Sequence, residues 1–339
     1  MSYAERKELY EKIEADRNSS VILHATGDRP GMESQISHGA FDYFVHHLDK
    51  IWPKNSKKIT LILHTGGGDT AAAWRLINLL RIFCDDLEVI VPNRAHSAGT
   101  LISLGANRIV MTKQATLGPI DPSLTGPLSP SVPENPQQRV PVSVEAVQGY
   151  LDLARDELSI KDPGGLSQIL VHLTSKVHPL VLGQIFRSRN QIRSLAETLL
   201  DNHDGLKKEN KDRIVDFLCS DSGSHDRTIN RREARALGLN IENPSQDLYN
   251  LVNNVYEDLA QEMVFRRRFD PMVELQGRPT VQFSCPRALV ESVDGGSTQL
   301  QRRGTIKLLA THHNPGPGMP QVVVSGTEVA ITFDGWEQL

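Results

Sequence analysis

Two turns, each following an apolar run, carry the residues whose types and spacing could do chemistry. The first is Leu61-Ile62-Leu63-His64-Thr65-Gly66-Gly67-Gly68-Asp69. The second is Val89-Ile90-Val91-Pro92-Asn93-Arg94-Ala95-His96-Ser97-Ala98-Gly99. A glycine turn at a strand end lets a ligand approach the backbone closely and frees amide N–H groups to point at it. A serine among small residues at a helix entry sits where a nucleophile can be exposed. On neighbouring strands, the two turns offer an oxyanion hole and a nucleophile, the minimum set for acyl transfer. The run Ala95-His96-Ser97-Ala98-Gly99 also reads as a nucleophile elbow with alanine replacing the first glycine of GxSxG. Ser97 equally suits a plain helix N-cap. Its neighbour His96 is not thereby its base, because adjacent residues on a turn or helix do not face each other. Gly66-Gly67-Gly68 lacks both the Lys-Ser/Thr of a phosphate loop and the GxGxxG spacing of a dinucleotide fold, so a simple tight turn is its other reading.

Further along, Leu117-Gly118-Pro119-Ile120-Asp121-Pro122 is a stiff loop. Its two prolines fix the backbone on either side of Asp121, either to present the carboxylate or to complete a structural turn. His172 and Lys176 lie four residues apart and share a face if one helix runs through them, with His178 and Pro179 just beyond. Taken singly, these three suit solvated or capping roles. His46-His47 and His312-His313 have no carboxylate or cysteine at ligand spacing and read as non-ligands.

The elements that must position these groups alternate. An amphipathic helix over residues 4–16 precedes Val21–Asp28, a strand ending in a turn. Then come a helix around Ile36–Leu48, a strand at Lys58–His64, a helix at Thr70–Phe83, a strand at Leu87–Pro92, a small-residue helix at Ser97–Ala106 and a strand at Arg108–Met111. Uninterrupted apolar strands between helices predict a parallel sheet buried on both faces, an α/β fold built from βαβ units. Pro127–Pro141, with five prolines, reads as a loop. Helices follow at Val144–Leu158, Leu166–Lys176, Pro179–Leu200, Arg231–Leu239 and Gln246–Val264. The last stretch changes character and predicts short strands at Thr280–Phe283, Thr305–Leu309, Val322–Val324 and Val329–Phe333. The expected organisation is therefore one large domain over residues 1–270 and a small C-terminal β-rich appendage over 271–339.

Bulk properties narrow the function classes. A chain of 339 residues with 39% apolar and 23% charged residues is that of an ordinary globular protein, and a net charge of -4 gives no footprint for nucleic acid. Cys84, Cys219 and Cys285 are odd in number and far apart, with no CxxC, which argues against a disulfide framework or a zinc site. No apolar run approaches the ~20 residues of a membrane span. The charged start, Met1-Ser2-Tyr3-Ala4-Glu5-Arg6-Lys7-Glu8, lacks the apolar stretch of a signal peptide. A cytoplasmic location with no membrane segment is the expectation.

Together these segments resemble the Clp protease/crotonase fold, a βαβ superhelix. Within it they are most similar to the serine dehydrogenase proteinase family, relatives of signal peptide peptidase A and of NfeD-type serine proteases. The resemblance rests on His64–Asp69, Ala95–Ile102, Leu117–Pro122, Lys176-Val177-His178-Pro179-Leu180 leading into Arg187–Leu200, and Ile229–Leu239. It covers about residues 20–260 and leaves the β tail outside. It implies a serine peptidase with Ser97 as nucleophile and the Gly67 and Ala98 amides as oxyanion hole. An extended peptide would pair beside Gly66, Gly68 and Asp69, and Asp121 would orient the base or a substrate-side hydrogen bond. The Clp subunit carries a histidine on the strand after the nucleophile, but Gly118–Pro122 here has none. The Ser-Lys dyad of the other relatives then points to Lys176, which stands where the NfeD-type lysine precedes a long helix. Lys161 is second, and His172 or His178 follows if Lys176 is solvated. The resemblance also implies a homo-oligomer acting on a polypeptide, with no metal or nucleotide required. The rival readings are a peptide-binding scaffold without chemistry, a crotonase-type acyl-CoA enzyme, or an esterase.

Overall fold

The uninterrupted apolar runs become adjacent strands in the computed structural model, which describes residues 3–52, 57–120, 123–201, 206–221, 227–312 and 322–339. The strands of the main sheet are β1 (Ser20–Thr26), β2 (Lys58–His64), β3 (Asp86–Val91), β4 (Arg108–Met111), β5 (Ile241–Glu242), β6 (Thr280–Ser292), β7 (Gly296–His312) and β8 (Val322–Gln338). The helices are α1 (Tyr3–Arg17), α2 (Phe41–Ile51), α3 (Thr70–Phe83), α4 (Ala98–Leu104), α5 (Val144–Asp152), α6 (Pro163–Lys176), α7 (Pro179–Leu200), α8 (Lys208–Asp216), α9 (Arg231–Leu237) and α10 (Gln246–Glu262), followed by the short α11 (Pro271–Leu275).

The sheet order is β5-β4-β3-β2-β1-β6-β7-β8. From β5 to β1 every pairing is parallel. From β1 onward the pairings are antiparallel. The α/β class and the parallel sheet are thus as the alternation predicts. The C-terminal strands are longer than the four short pieces expected, and they extend the main sheet through β1. The local signal for their first hairpin is Val293-Asp294-Gly295-Gly296, an Asp-Gly turn between two β-rich runs, with Gly296 at φ 82°.

The chain divides into two compact units. One comprises residues 1–116 with 241–339 and the other residues 117–240. The boundary expected at residue 270 falls inside the first unit. In that unit, Tyr10 and Ile13 of α1 and Val252, Val255 and Leu259 of α10 pack on Val21, Leu23 and Ala25 of β1 and on Ile62, Ile90 and Val110. Strand alternation turns His24 to the opposite face, where it meets the Phe44 ring of α2 edge-on at 5.2 Å. A buried ionic cluster locks the first layer: the Arg6 guanidinium, fully enclosed, donates to Glu291 (2.6 and 3.0 Å), to Asp258 (2.5 Å) and to Glu262. In the second unit, Val142, Val144, Val181 and Ile185 form a small core with Val147 and Val177.

Two buried histidines give this fold a pH signature. The His24 Nδ1 faces the Leu289 carbonyl at 3.0 Å and therefore carries a proton and donates. Burial lowers its pKa to about 4, against a weaker opposing effect of that carbonyl. His47, whose Nδ1 lies 2.7 Å from Ser292 Oγ, is also lowered to about 4, first by burial and then by His46. Unfolded, both rings take a proton near their ordinary value of about 6.5. Between those two pH values the unfolded chain binds more protons, so stability falls as pH falls, by up to about 1.4 kcal/mol per pH unit per histidine. Denaturant unfolding followed downward from neutral pH is expected to show stability declining from about pH 6.5, above the carboxylate range. A plateau reaching pH 4.5 would contradict the neutral burial of both rings.

Candidate active site

Ser97 stands between the two-residue strand Arg94–Ala95 and the first turn of α4. Its backbone is in the positive-φ region, at φ 50° and ψ -113°. A non-glycine residue there costs about 1–3 kcal/mol and persists only where surrounding contacts impose it. This is the strand–turn–helix context that a nucleophile elbow requires. The hydroxyl makes no capping bond to the helix, and the residue is partly exposed. Ala98 is the first residue of α4, so its amide has no carbonyl partner within the helix. Gly99 lies so close to the Thr65 methyl that a Cβ there would collide with it.

The glycine turn packs directly against this serine. A Cβ on Gly67 would lie 2.9 Å from Ser97 Cβ and 3.1 Å from the His96 carbonyl oxygen, and Gly67 itself has φ 119°. Gly68, at φ 147°, is pressed against Ile36, where a Cβ would lie 2.9 Å from Ile36 Cα. One edge of this segment is already paired: the Ile36 amide donates to the Gly67 carbonyl and the Asp69 amide to the Ile36 carbonyl, both at 2.9 Å. By strand alternation the Gly68 amide and carbonyl face the other edge. The Asp69 side chain caps α3 by accepting from the Ala72 amide at 2.9 Å.

Thr65 joins the two turns. Its amide donates to the Arg94 carbonyl (3.0 Å) and its carbonyl accepts from the His96 amide (3.1 Å), a parallel bridge to Ala95. Its hydroxyl accepts from Thr26 Oγ1 (2.8 Å) and from the Gly67 amide (3.0 Å). The Gly67 amide is therefore already engaged in this structure. Behind the turn, the Asp28 carboxylate accepts from His64 Nε2 (2.8 Å) and pairs with Arg94, whose guanidinium lies beside Gly66. Burial pushes the Asp28 carboxyl up, but His64 and Arg94 outweigh it and leave the pKa below its ordinary value. The His64 ring stacks on Phe265 with centroids 5.1 Å apart.

Residues 48–151 match the ClpP-like SDH-type serine proteinase family. The chain is similar to these proteinases. The matched stretch contains Gly66–Asp69, Ser97 and Ala98 and ends before Lys176. An uncharacterized protein of Methanocaldococcus jannaschii is 31% identical over 212 residues, which span 62% of this chain and 62% of the relative's own length. A second uncharacterized protein of that organism is 41% identical over 66 residues, 20% of this chain and 23% of its own. Among solved structures, a variant of the membrane-bound stomatin-specific protease 1510-N aligns over 68% of this chain and 80% of its own, with 15% identity and a TM-score of 0.40. Another variant of that protease, in complex with a substrate peptide, aligns over 68% and 76% with 16% identity and a TM-score of 0.39.

Of the residues expected from the SDH-type pattern, the first unit brings Gly66, Gly67, Gly68, Asp69, Ser97 and Ala98 into one constellation. Lys176 belongs to the second unit, as the last residue of α6, and is exposed. Lys161 and His172 are also exposed, and His178 caps α7 through Nδ1, which accepts from the Leu180 amide at 3.2 Å. Asp121 lies outside the described residues. Sequence reasoning missed Thr65, Asp28, His64 and Arg94 as supports, because each acts across strands rather than along one. Their weak local signal is polar residues placed where β1 and β2 end.

The two glycine contacts separate by substitution. Gly66→Ala places its Cβ in ordinary contact, 3.7 Å from Arg94 Nη2, and should change stability by less than about 0.5 kcal/mol. Gly67→Ala meets both a positive φ and the Ser97 side chain, and should cost about 1–3 kcal/mol. Thermal unfolding of the pair checks this, and equal losses would contradict the close approach at Gly67.

Proposed function

We propose that this protein is a serine peptidase in which Ser97 is the nucleophile. The observation that carries the reading is the positive-φ conformation of Ser97 at the entry to α4, with the Gly67 backbone packed against its side chain. Ser97 Oγ attacks the peptide carbonyl, and the oxygen that becomes negative is received by the Ala98 and Gly67 amides. Such donors are worth about 3 kcal/mol each when they meet the charge that develops in the transition state. The Gly67 amide shares its hydrogen between Thr65 Oγ1 and the oxyanion in this scheme. The Gly68 amide and carbonyl, on the edge that Ile36 leaves open, pair with an extended substrate strand.

Lys176 is the proposed general base. Its assignment rests on its place before the long helix in the sequence pattern of the NfeD-type relatives. A lysine accepts the serine proton only when neutral, which requires that its ammonium lose water. It then returns the proton to the leaving amine, and a water deacylates the enzyme by the same route. Lys176 is exposed in the single chain, so the desolvation must come from substrate or from another subunit. Asp121 is proposed to orient the base or a substrate-side bond.

Intact-mass spectrometry with a fluorophosphonate probe tests the reading on wild type, Ser97→Ala and Lys176→Ala. One adduct on wild type, absent from Ser97→Ala and slowed by about 100-fold or more in Lys176→Ala, is the expected result. Loss in Ser97→Ala alone would transfer the base to Lys161 or a histidine. Folded wild type that takes no adduct while binding peptides would replace catalysis with a scaffold role.

A further inference from the structure

Arg94 stands three residues before Ser97, on the short strand that leads into the nucleophile turn. Its side chain is 36% exposed. The guanidinium lies beside Gly66, with Nη2 3.7 Å from the place a Gly66 Cβ would take. Gly66 is itself exposed, and having no side chain it leaves that cation uncovered. The next residue, Gly67, is the one packed against Ser97. An accessible arginine therefore flanks the nucleophile on the opposite side of Gly67 from Gly68.

The arginine is held in place without being used up. Asp28 meets Arg94 Nη2 through Oδ1 and accepts from His64 through Oδ2, so one carboxylate fixes both side chains. Among the described residues, Asp28 is the partner the guanidinium has, and a guanidinium carries five N–H donors. A second donor stands close by. The Tyr256 ring of α10 lies 5.2 Å from the His64 ring. Burial raises the Tyr256 pKa above its ordinary value and Asp28 raises it further, against Arg266 and Arg94. The phenol therefore keeps its proton at neutral pH. The adjacent carboxylate, Glu257, is already taken by Arg266, with both oxygens at 2.7 Å. A planar cation beside a hydroxyl donor is matched by a planar anion that accepts hydrogen bonds, which is a carboxylate. A peptide brings one as an acidic side chain or as its C-terminus.

We propose that Arg94, with the Tyr256 hydroxyl as second donor, binds a substrate carboxylate on the Gly66 side of the bond that Ser97 attacks. Asp28 is the positioning residue that holds the guanidinium there. The place of this subsite beside a reacting bond rests on the peptidase reading. Its preference for carboxylate needs only that a peptide lie along the glycine turn.

Fluorescence anisotropy of labelled alanine peptides tests the proposal on the full chain carrying Ser97→Ala, which leaves them uncut. One peptide has a central Glu and an amidated C-terminus, another has Gln in its place, and a third has no acidic side chain but a free C-terminal carboxylate. A carboxylate peptide is expected to bind about tenfold tighter than the Gln peptide, the scale of a charge-assisted hydrogen bond. Preference for the Glu peptide alone assigns the side chain, and preference for the free acid alone assigns the C-terminus. Adding Arg94→Gln is expected to abolish the difference. Arg94→Lys, which keeps the charge without the planar fork, should retain part of it, and Tyr256→Phe should reduce it about threefold. Equal binding of all three peptides, binding of none, or a preference that survives Arg94→Gln in a chain with an unchanged melt overturns the proposal. If Arg94→Gln does not fold, an undiminished preference in both Arg94→Lys and Tyr256→Phe overturns it. Fluorophosphonate labelling of wild type decides the peptidase reading separately. A carboxylate preference without an adduct upholds the subsite while that reading fails, and an adduct without a preference does the reverse.

Discussion

The site depends on one steric constraint: two backbones approach more closely than any side chain would allow. Gly67 lies against Ser97, where a Cβ would meet Ser97 Cβ at 2.9 Å, and Gly68 lies against the Ile36 backbone, where a Cβ would come closer still. Both contacts are made at positive φ, so glycine is needed for conformation as well as for space. Ser97 is held in its own strained conformation by the same packing. Nothing in α4 alone would keep a serine at φ 50°, a conformation that persists only where surrounding contacts impose it.

The rest of the first unit serves that approach. Thr65 couples the turn after β2 to the turn carrying Ser97 through two backbone bonds, while its hydroxyl holds the Gly67 amide. Asp28 sits behind them as the shared partner of His64 and Arg94, bringing the ends of β1 and β2 together with the short strand before Ser97. The parallel sheet makes this possible because it delivers the ends of successive strands to one side, where loops meet. The antiparallel strands β6, β7 and β8 extend the sheet on the far side of β1, and the Arg6–Glu291 pair fixes α1 to β6.

What the sequence made legible follows from the range of the interactions. Lys58–His64, Thr70–Phe83 and Arg108–Met111 could be placed to the residue, because apolar runs and helical spacing are local signals. The small-residue setting of Ser97 and the glycine run were legible for the same reason. The roles of Thr65, Asp28 and Arg94 were not, since each depends on which strand lies next to which. The pairing of Ile36 with Gly67 and Asp69 likewise gave no sign: the apolar spacing placed Ile36 at the start of a helix, whereas the helix begins at Phe41 and Ile36 pairs with the glycine turn. The β tail was read as fragments because its strands mix polar and apolar residues, and only long-range pairing with β1 shows how far they run. Lys176 was proposed by family pattern alone, and its exposure agrees with the solvated role that its local sequence suits.

The most direct test of the account is a crystal structure with a peptide boronate. The account predicts a covalent bond from Ser97 Oγ to boron, with one boronate oxygen within hydrogen-bonding distance of the Ala98 and Gly67 amides. It also predicts the peptide extended along Gly68 on the edge opposite Ile36. A boronate bound at another residue, or one bonded to Ser97 with its oxygens turned away from both amides, would contradict it.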